Sequence, residues 1–170
     1  MSALKENIIL RPIEQEDLNY LVKWRNDEVI FSQLGGGYFP VSKTEMAQWM
    51  PNFCKNDKAN VRFIIQFENE PVGYITLTNI NYINRNAELG IYLGENNYRG
   101  KGIASQALKQ LESFASNHLG LYKIKLLVNS KNTAAIKMYK KNDYELVGTY
   151  RKERLINKEW LDVDIMEKVI

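Results

Sequence analysis

Residues 7–13 alternate around Ile9 and Arg11 as a half-buried strand does, and Glu16 and Asp17 then open a helix whose Leu18, Leu21, Val22 and Trp24 run on to Arg25. The run Gly35-Gly36-Gly37 closes this region as a mobile loop. Ser42, followed three residues later by Glu45, is the capping box of a second helix that carries Met46, Trp49 and Met50 and is kinked at Pro51. Residues 61–67 and 72–80 are rich in β-formers and are joined by Glu68-Asn69-Glu70-Pro71, so they predict a hairpin. A third strand follows over 87–93. Its alternation puts Ala87, Leu89, Ile91 and Leu93 on one face and Glu88, Gly90 and Tyr92 on the other. Ile103, Ala104, Ala107, Leu108, Leu111, Phe114 and Ala115 form one stripe of a long amphipathic helix. Residues 121–128 predict a strand, 133–141 a short helix, and 144–156 and 159–169 two long strands meeting at Asn157-Lys158. The order β-α-α-β-β-β-α-β-α-β-β predicts a mixed α/β (α+β) sheet, mostly antiparallel, with flanking helices and one crossover helix.

Composition narrows the class without naming a ligand. At 170 residues, 45% hydrophobic and 25% charged, the chain fits one globular domain spanning 1–170 with an ordinary core. A net charge of +3 is too small to diagnose nucleic-acid or membrane binding, and no basic stripe with interleaved aromatics is present, so neither partner is expected. The first residues lack an apolar stretch after a basic segment, and no run approaches the roughly 18 apolar residues of a membrane span, so a cytoplasmic protein is expected. Cys54 is the single cysteine and His118 the single histidine, which excludes an internal disulfide and multi-histidine or cysteine-cluster metal sites; no metal is expected. Cys54, at helical spacing beside Trp49, Met50 and Phe53, is read as core filler and His118 as a surface residue.

The sharpest chemical feature is a strand, a glycine-rich turn and a helix: Ile91-Tyr92-Leu93, then Arg99-Gly100-Lys101-Gly102-Ile103-Ala104. Glycines admit close approach of a ligand to the backbone, and the free N–H groups of a helix start carry partial positive charge, so this is an anion cradle flanked by Arg99 and Lys101. A diphosphate fits such a cradle; an ordinary strand-to-helix turn is the alternative reading. A Walker loop is excluded because no second glycine stands at the required spacing before Lys101 and no Ser or Thr follows it. A dinucleotide fingerprint fails too, since after Gly100-Lys101-Gly102 the position of the third glycine, just before Gln106, is held by Ser105.

Arg99-Gly100-Lys101-Gly102-Ile103-Ala104 resembles the R/Q-x-x-G-x-G/A signature of the GNAT superfamily of acyl-CoA-dependent N-acyltransferases. Asn132-Thr133-Ala134-Ala135-Ile136-Lys137-Met138-Tyr139 is similar to the family's N-x-x-A-x-x-x-Y segment. Leu10-Arg11-Pro12 and Arg85-Asn86-Ala87-Glu88-Leu89-Gly90-Ile91 resemble the branch that acetylates ribosomal-protein alanines and spermidine. Asn142-Asp143-Tyr144 stands where the family has L-G-F, a departure that bears on the shape of that turn. The resemblance implies a splayed parallel strand pair, 87–93 and 121–128, that admits acetyl-CoA as cosubstrate. Its pyrophosphate would lie on the amides of residues 100–104 and its pantetheine arm beside Ile91, Tyr92 and Leu93, with Asn132 bonding the arm, capping the following helix, or both.

Acetyl transfer to an amine requires a neutral amine, a stabilised oxyanion and a protonated leaving thiolate. Glu88, on the cofactor side of its strand, is the candidate to take the amine's proton directly or through water; an exposed carboxylate paired with Arg85 is the alternative. Tyr139, where the resemblance places a tyrosine near the thioester sulfur, is the candidate acid, with a core aromatic as the alternative. The backbone N–H of Ile91 or Tyr92 is the oxyanion donor. The acceptor pocket is expected from Trp24, Arg25, Asn26, Phe31, the 35–37 loop and Tyr38, with Tyr74 and Thr76 from the sheet; Trp24 fits a core position equally well. The acceptor is expected to be a small-molecule amine such as an amino sugar, Arg25 meeting a phosphate if that sugar is nucleotide-linked. Polyamines, for which Asp27, Glu28 and Glu45 are available, rank lower, and a peptide α-amine stays open. A non-catalytic CoA-binding module is the rival class. The resemblance and the long final strands imply a homodimer.

Overall fold

The computed structural model describes residues 8–35 and 37–170; Asn7 of the first predicted strand and Gly36 of the glycine run lie outside them. The first strand, β1 (Ile8–Arg11), stops where Pro12 can donate no further ladder bond. Arg11 then turns the chain: its guanidinium grips Asp17 through two 2.7 Å bonds and donates a third, of 2.7 Å, to Gln66. Asp17 is buried, and it also accepts from the Glu14 amide, so one carboxylate ties strand, turn and helix start together. A 3-10 turn over Gln15–Asp17 leads into α1 (Leu18–Arg25), two residues later than predicted. A further short helix, α2 (Glu28–Phe31), was not foreseen; it is one turn long, too short for periodicity to register, and Asp27 caps it by accepting from the Ile30 amide. In α3 (Lys43–Phe53) Ser42 caps the Glu45 amide at 3.0 Å, but no return bond from Glu45 is made among the described residues, so only half of the expected capping box exists. Pro51 falls in the last turn of α3, where the missing N–H costs a single bond.

The remaining elements are β2 (Val61–Phe67), β3 (Glu70–Asn81), β4 (Asn86–Leu93), α4 (Ile103–Leu119), β5 (Lys123–Asn129), α5 (Thr133–Lys141), β6 (Glu145–Ile156) and β7 (Glu159–Val169). The strands form one seven-stranded sheet in the order β1-β2-β3-β4-β5-β7-β6. Every neighbouring pair is antiparallel except β4 and β5, which α4 connects as a crossover. The sheet is thus the mixed α/β, mostly antiparallel one that the hydrophobic pattern predicts. Among the described residues no helix is long and apolar enough to cross a membrane.

Two cores sit on opposite faces of this sheet. On one, Ala87, Leu89, Ile124 and Leu126 pack against Ile103, Ala107, Leu108, Leu111 and Ala115 of α4. On the other, Ile13, Leu21, Trp24, Val41, Met46, Met50 and Ile64 form a smaller cluster under α1 and α3, with Tyr74 and Tyr92 at its margin. The predicted division of β4 holds: its odd residues serve the first core, while Tyr92 serves the second.

Candidate active site

The parallel ladder between β4 and β5 is only three pairs long, Asn86 with Lys123, Ala87 with Ile124 and Glu88 with Lys125. Both strands continue past it, to Leu93 and Asn129, without pairing again. This is the splayed pair that the resemblance implies. The Gly94 amide bonds across to the Val72 carbonyl at 2.9 Å, so in the antiparallel register of β3 and β4 the amides of Tyr92 and Gly90 face β3 as well. Alternation leaves the Ile91 and Leu93 amides facing the open side. Of the two oxyanion donors that the sequence allows, Tyr92 is spent on the ladder and Ile91 is free to donate into the split.

Beside the split lies a cavity of about 650 Å³ walled by Ile91, Tyr92, Leu93, Arg99, Gly100, Gly102, Ile103, Ala104, Ser105, Asn132 and Tyr139 among others. Gly102, at φ 81°, is the N-cap of α4, and its conformation belongs to the left-handed region that favours glycine. A Cβ built on Gly100 or Gly102 meets nothing within 4 Å, so the space over the turn is open to a ligand. The first intrahelical bond of α4 runs from Gln106 to Gly102, which leaves the amides of Ile103, Ala104 and Ser105 free to donate. Arg99 donates to the Leu93 carbonyl at 3.2 Å, and the Lys101 ammonium lies 5.4 Å from the centroid of the Tyr98 ring. The donors and the vacant volume suit a pyrophosphate with a pantetheine arm behind it.

Asn132 caps α5 by accepting from the Ala135 amide at 3.2 Å, and it also lines this cavity. Tyr139, on the same helix, is buried beside Tyr144 with ring centroids 5.7 Å apart, and its hydroxyl makes no hydrogen bond among the described residues. Burial pushes its phenol well above the usual tyrosine range, so it holds its proton. The turn that departs from L-G-F keeps its shape by other means. Asp143 takes φ 67°, the left-handed conformation a glycine would adopt there. Asn142 is buried and donates to Ser105 (2.7 Å) and to the Met138 carbonyl (2.8 Å), which locks α5 to the start of α4.

A second cavity, of about 590 Å³, shares Gln33, Leu34, Ile91 and Tyr92 with the first. An aromatic row lines it: Phe53 stacks on Tyr74 at 5.6 Å, Tyr74 on Tyr92 at 5.4 Å, and Phe31 meets Tyr92 edge-on at 5.4 Å. Arg25 caps the row, its guanidinium carbon 4.4 Å from the Phe31 centroid. Glu88 opens into this cavity half-exposed, 3.6 Å from Lys125 and accepting from Asn79 at 3.2 Å. Its cation is therefore Lys125; Arg85 instead donates to the Gly120 carbonyl.

Arg25, Phe31, Tyr74, Thr76 and Gly35 all line the second cavity as expected. Four predicted pocket residues, Gly37 among them, do not. Trp24 is fully buried and donates its indole N–H to Glu95 at 2.9 Å, packed so tightly that a Cβ on Gly94 would lie 2.2 Å from its ring. Tyr38 is exposed away from the cavity, and Asn26 uses both ends of its amide to clamp Val41. Cys54 lines neither cavity. Sequence reasoning missed Gln33, Leu34, Phe53 and Arg154. Arg154 comes from β6 and donates to the Gln33 carbonyl at 2.8 Å, a contact across the chain that no local pattern signals.

Comparison with known proteins agrees with this geometry over nearly the whole chain. The acetyltransferase (GNAT) domain family matches residues 7–145. The spermidine N(1)-acetyltransferase of Escherichia coli is 29% identical over 156 residues, covering 91% of this chain and 81% of the relative. The ribosomal-protein-serine acetyltransferase of the same organism is 31% identical over 110 residues, 64% of this chain and 60% of the relative. The crystal structure of Vibrio cholerae spermidine N-acetyltransferase in complex with CoA and spermine superposes with a TM-score of 0.87 at 27% identity, covering 96% of this chain and 95% of the other. The split sheet, the glycine turn and the match along 7–145 lead to one conclusion: the chain belongs to the GNAT acetyltransferases and is an N-acetyltransferase.

Proposed function

We propose that this single-domain enzyme transfers acetyl from acetyl-CoA to the primary amine of a small molecule held in the aromatic cavity. The observation that carries this reading is the meeting of two cavities at Ile91 and Tyr92, one beside a free helix start and the other beside a carboxylate. When bound in the first cavity, acetyl-CoA supplies the activated thioester. The amides of residues 100–104 hold its pyrophosphate, with Arg99 and Lys101 at the mouth, and Asn132 and the free edge of residues 91–93 hold the pantetheine arm. Glu88 takes the proton of the incoming amine through water that its half-exposed position admits. The Ile91 amide donates to the developing oxyanion, and the Tyr139 hydroxyl protonates the departing sulfur. The phenol holds its proton more tightly than a thiol does, so this last transfer is uphill and relies on a hydrogen bond set before the sulfur leaves.

Two of these relatives are spermidine acetyltransferases, and spermidine therefore belongs among the acceptors to be tried. We also propose a homodimer: β6 is an edge of the sheet and exposes Leu146, Val147, Tyr150 and Leu155, with Trp160 exposed beside it on β7.

Release of free thiol from acetyl-CoA across a panel of amines tests the enzyme reading. At least one amine should give one thiol per acetylated product. Zero release throughout, with acetyl-CoA still stabilising the protein, would instead mark a CoA-binding module without transfer chemistry.

A further inference from the structure

Two guanidinium groups enter the acceptor cavity without a carboxylate partner. Arg25, from the end of α1, makes no hydrogen bond or ion pair among the described residues, and its Nε is fully buried and unsatisfied. Arg154, from β6, makes only the bond to the Gln33 carbonyl, although burial acts against its charge. A desolvated cation without a partner is costly unless a ligand completes it. The one carboxylate in the cavity wall, Glu88, already faces Lys125. Acidic side chains that could hold a polycation are elsewhere: Asp27 caps α2, and neither Glu28 nor Glu45 lines the cavity. The cavity wall thus carries two arginines against a single, already paired carboxylate, together with the aromatic row.

Given the transfer reading above, on which this rests, we infer that the acetyl acceptor is an amine that also carries an anionic oxyacid group, phosphate or carboxylate, bound between Arg25 and Arg154. The guanidinium forks match such a group in geometry as well as charge. The aromatic row receives the body of the acceptor, and Glu88, in the same wall, takes its amine. A polyamine would meet two like charges in the same cavity.

Matched acceptor pairs test this: glucosamine 6-phosphate against glucosamine, and an ω-amino acid against its amide, with spermidine alongside. The anionic member of at least one pair should be favoured about tenfold or more in kcat/KM, mostly through KM, as one charge-assisted contact predicts; the pair that shows it tells phosphate from carboxylate. Arg25→Gln and Arg154→Gln should each reduce that preference without changing the stabilisation by acetyl-CoA, and Arg25→Lys should restore part of it. A separate measurement does not depend on turnover: with CoA saturating the glycine-turn cradle, inorganic pyrophosphate should bind in ³¹P NMR titration and lose binding in the double Gln variant. Preference for neutral amines or spermidine, survival of the preference in the double variant, or no pyrophosphate binding would each overturn the anion site. Pyrophosphate binding with no amine acetylated would leave the anion site standing and overturn the transfer reading instead.

Discussion

Tyr139 and Glu88 stand on elements that the split holds apart, α5 and β4, so their substitutions should fail in different ways. Tyr139→Phe keeps the buried ring and removes only a hydroxyl that makes no hydrogen bond among the described residues. It should lower kcat by about a hundredfold, the usual worth of a positioned proton donor, with stabilisation by acetyl-CoA unchanged. Wild-type kcat would assign the proton to water or another group. Glu88→Gln should move activity to higher pH, where more of the amine is already neutral, and a pH–rate profile identical to wild type would remove the carboxylate from the reaction. The buried phenols also set an alkaline limit. Burial raises both Tyr139 and Tyr144, so above the ordinary tyrosine pKa of about 10 the unfolded chain releases protons that the folded one keeps. Stability is therefore unaffected by these groups below that pH and falls above it, by up to about 2.7 kcal/mol per pH unit for the two together. Melting temperatures from pH 8 to 11 should show this fall, and a Tyr139→Phe, Tyr144→Phe double variant should make it shallower, with the buried Tyr74 and Tyr92 phenols, also raised, keeping the remainder.

The element that most directly carries the donor side is the turn into α4. Gly102→Trp should abolish stabilisation by acetyl-CoA because the space above Gly102 is open and the side chain would fill it, while the unliganded protein stays folded but melts somewhat lower from the left-handed backbone that Trp must adopt. Thermal stabilisation equal to wild type would show that the pyrophosphate lies elsewhere. How much of this was legible in the sequence follows from the reach of each signal. The α4 stripe, the β4 alternation and the bounds of α5 and β7 are local patterns and match the structure to within a few residues. The glycine turn was legible because left-handed backbone at a helix start demands a particular residue. Trp24 was not: its spacing fits a pocket or a core equally, and only the contact with Gly94 and Glu95, some seventy residues on, decides for the core. Arg154 was invisible for the same reason. The Asn142-Asp143-Tyr144 turn shows the converse case, where a missing motif glycine conceals an unchanged conformation, since aspartate tolerates the left-handed region at Asp143.

At the scale of the whole molecule, the sheet ends on β6, twelve residues long and largely exposed. If two copies cover it, static light scattering should give at least twice the monomer mass at micromolar concentrations, and Leu146→Lys with Val147→Lys should lower that mass. A monomer across the whole range would leave the face without a partner copy. The short ladder between β4 and β5 has a kinetic meaning as well. Because the two cavities share walls at Ile91 and Tyr92, and neither is lined among the described residues by a cysteine or histidine, acetyl is expected to pass directly from the thioester to the amine. Both reactants must be in place before either leaves, so double-reciprocal plots of initial rate at several fixed amine concentrations should intersect. Parallel lines would mean that the acyl group pauses on a side chain that the open strands do not display.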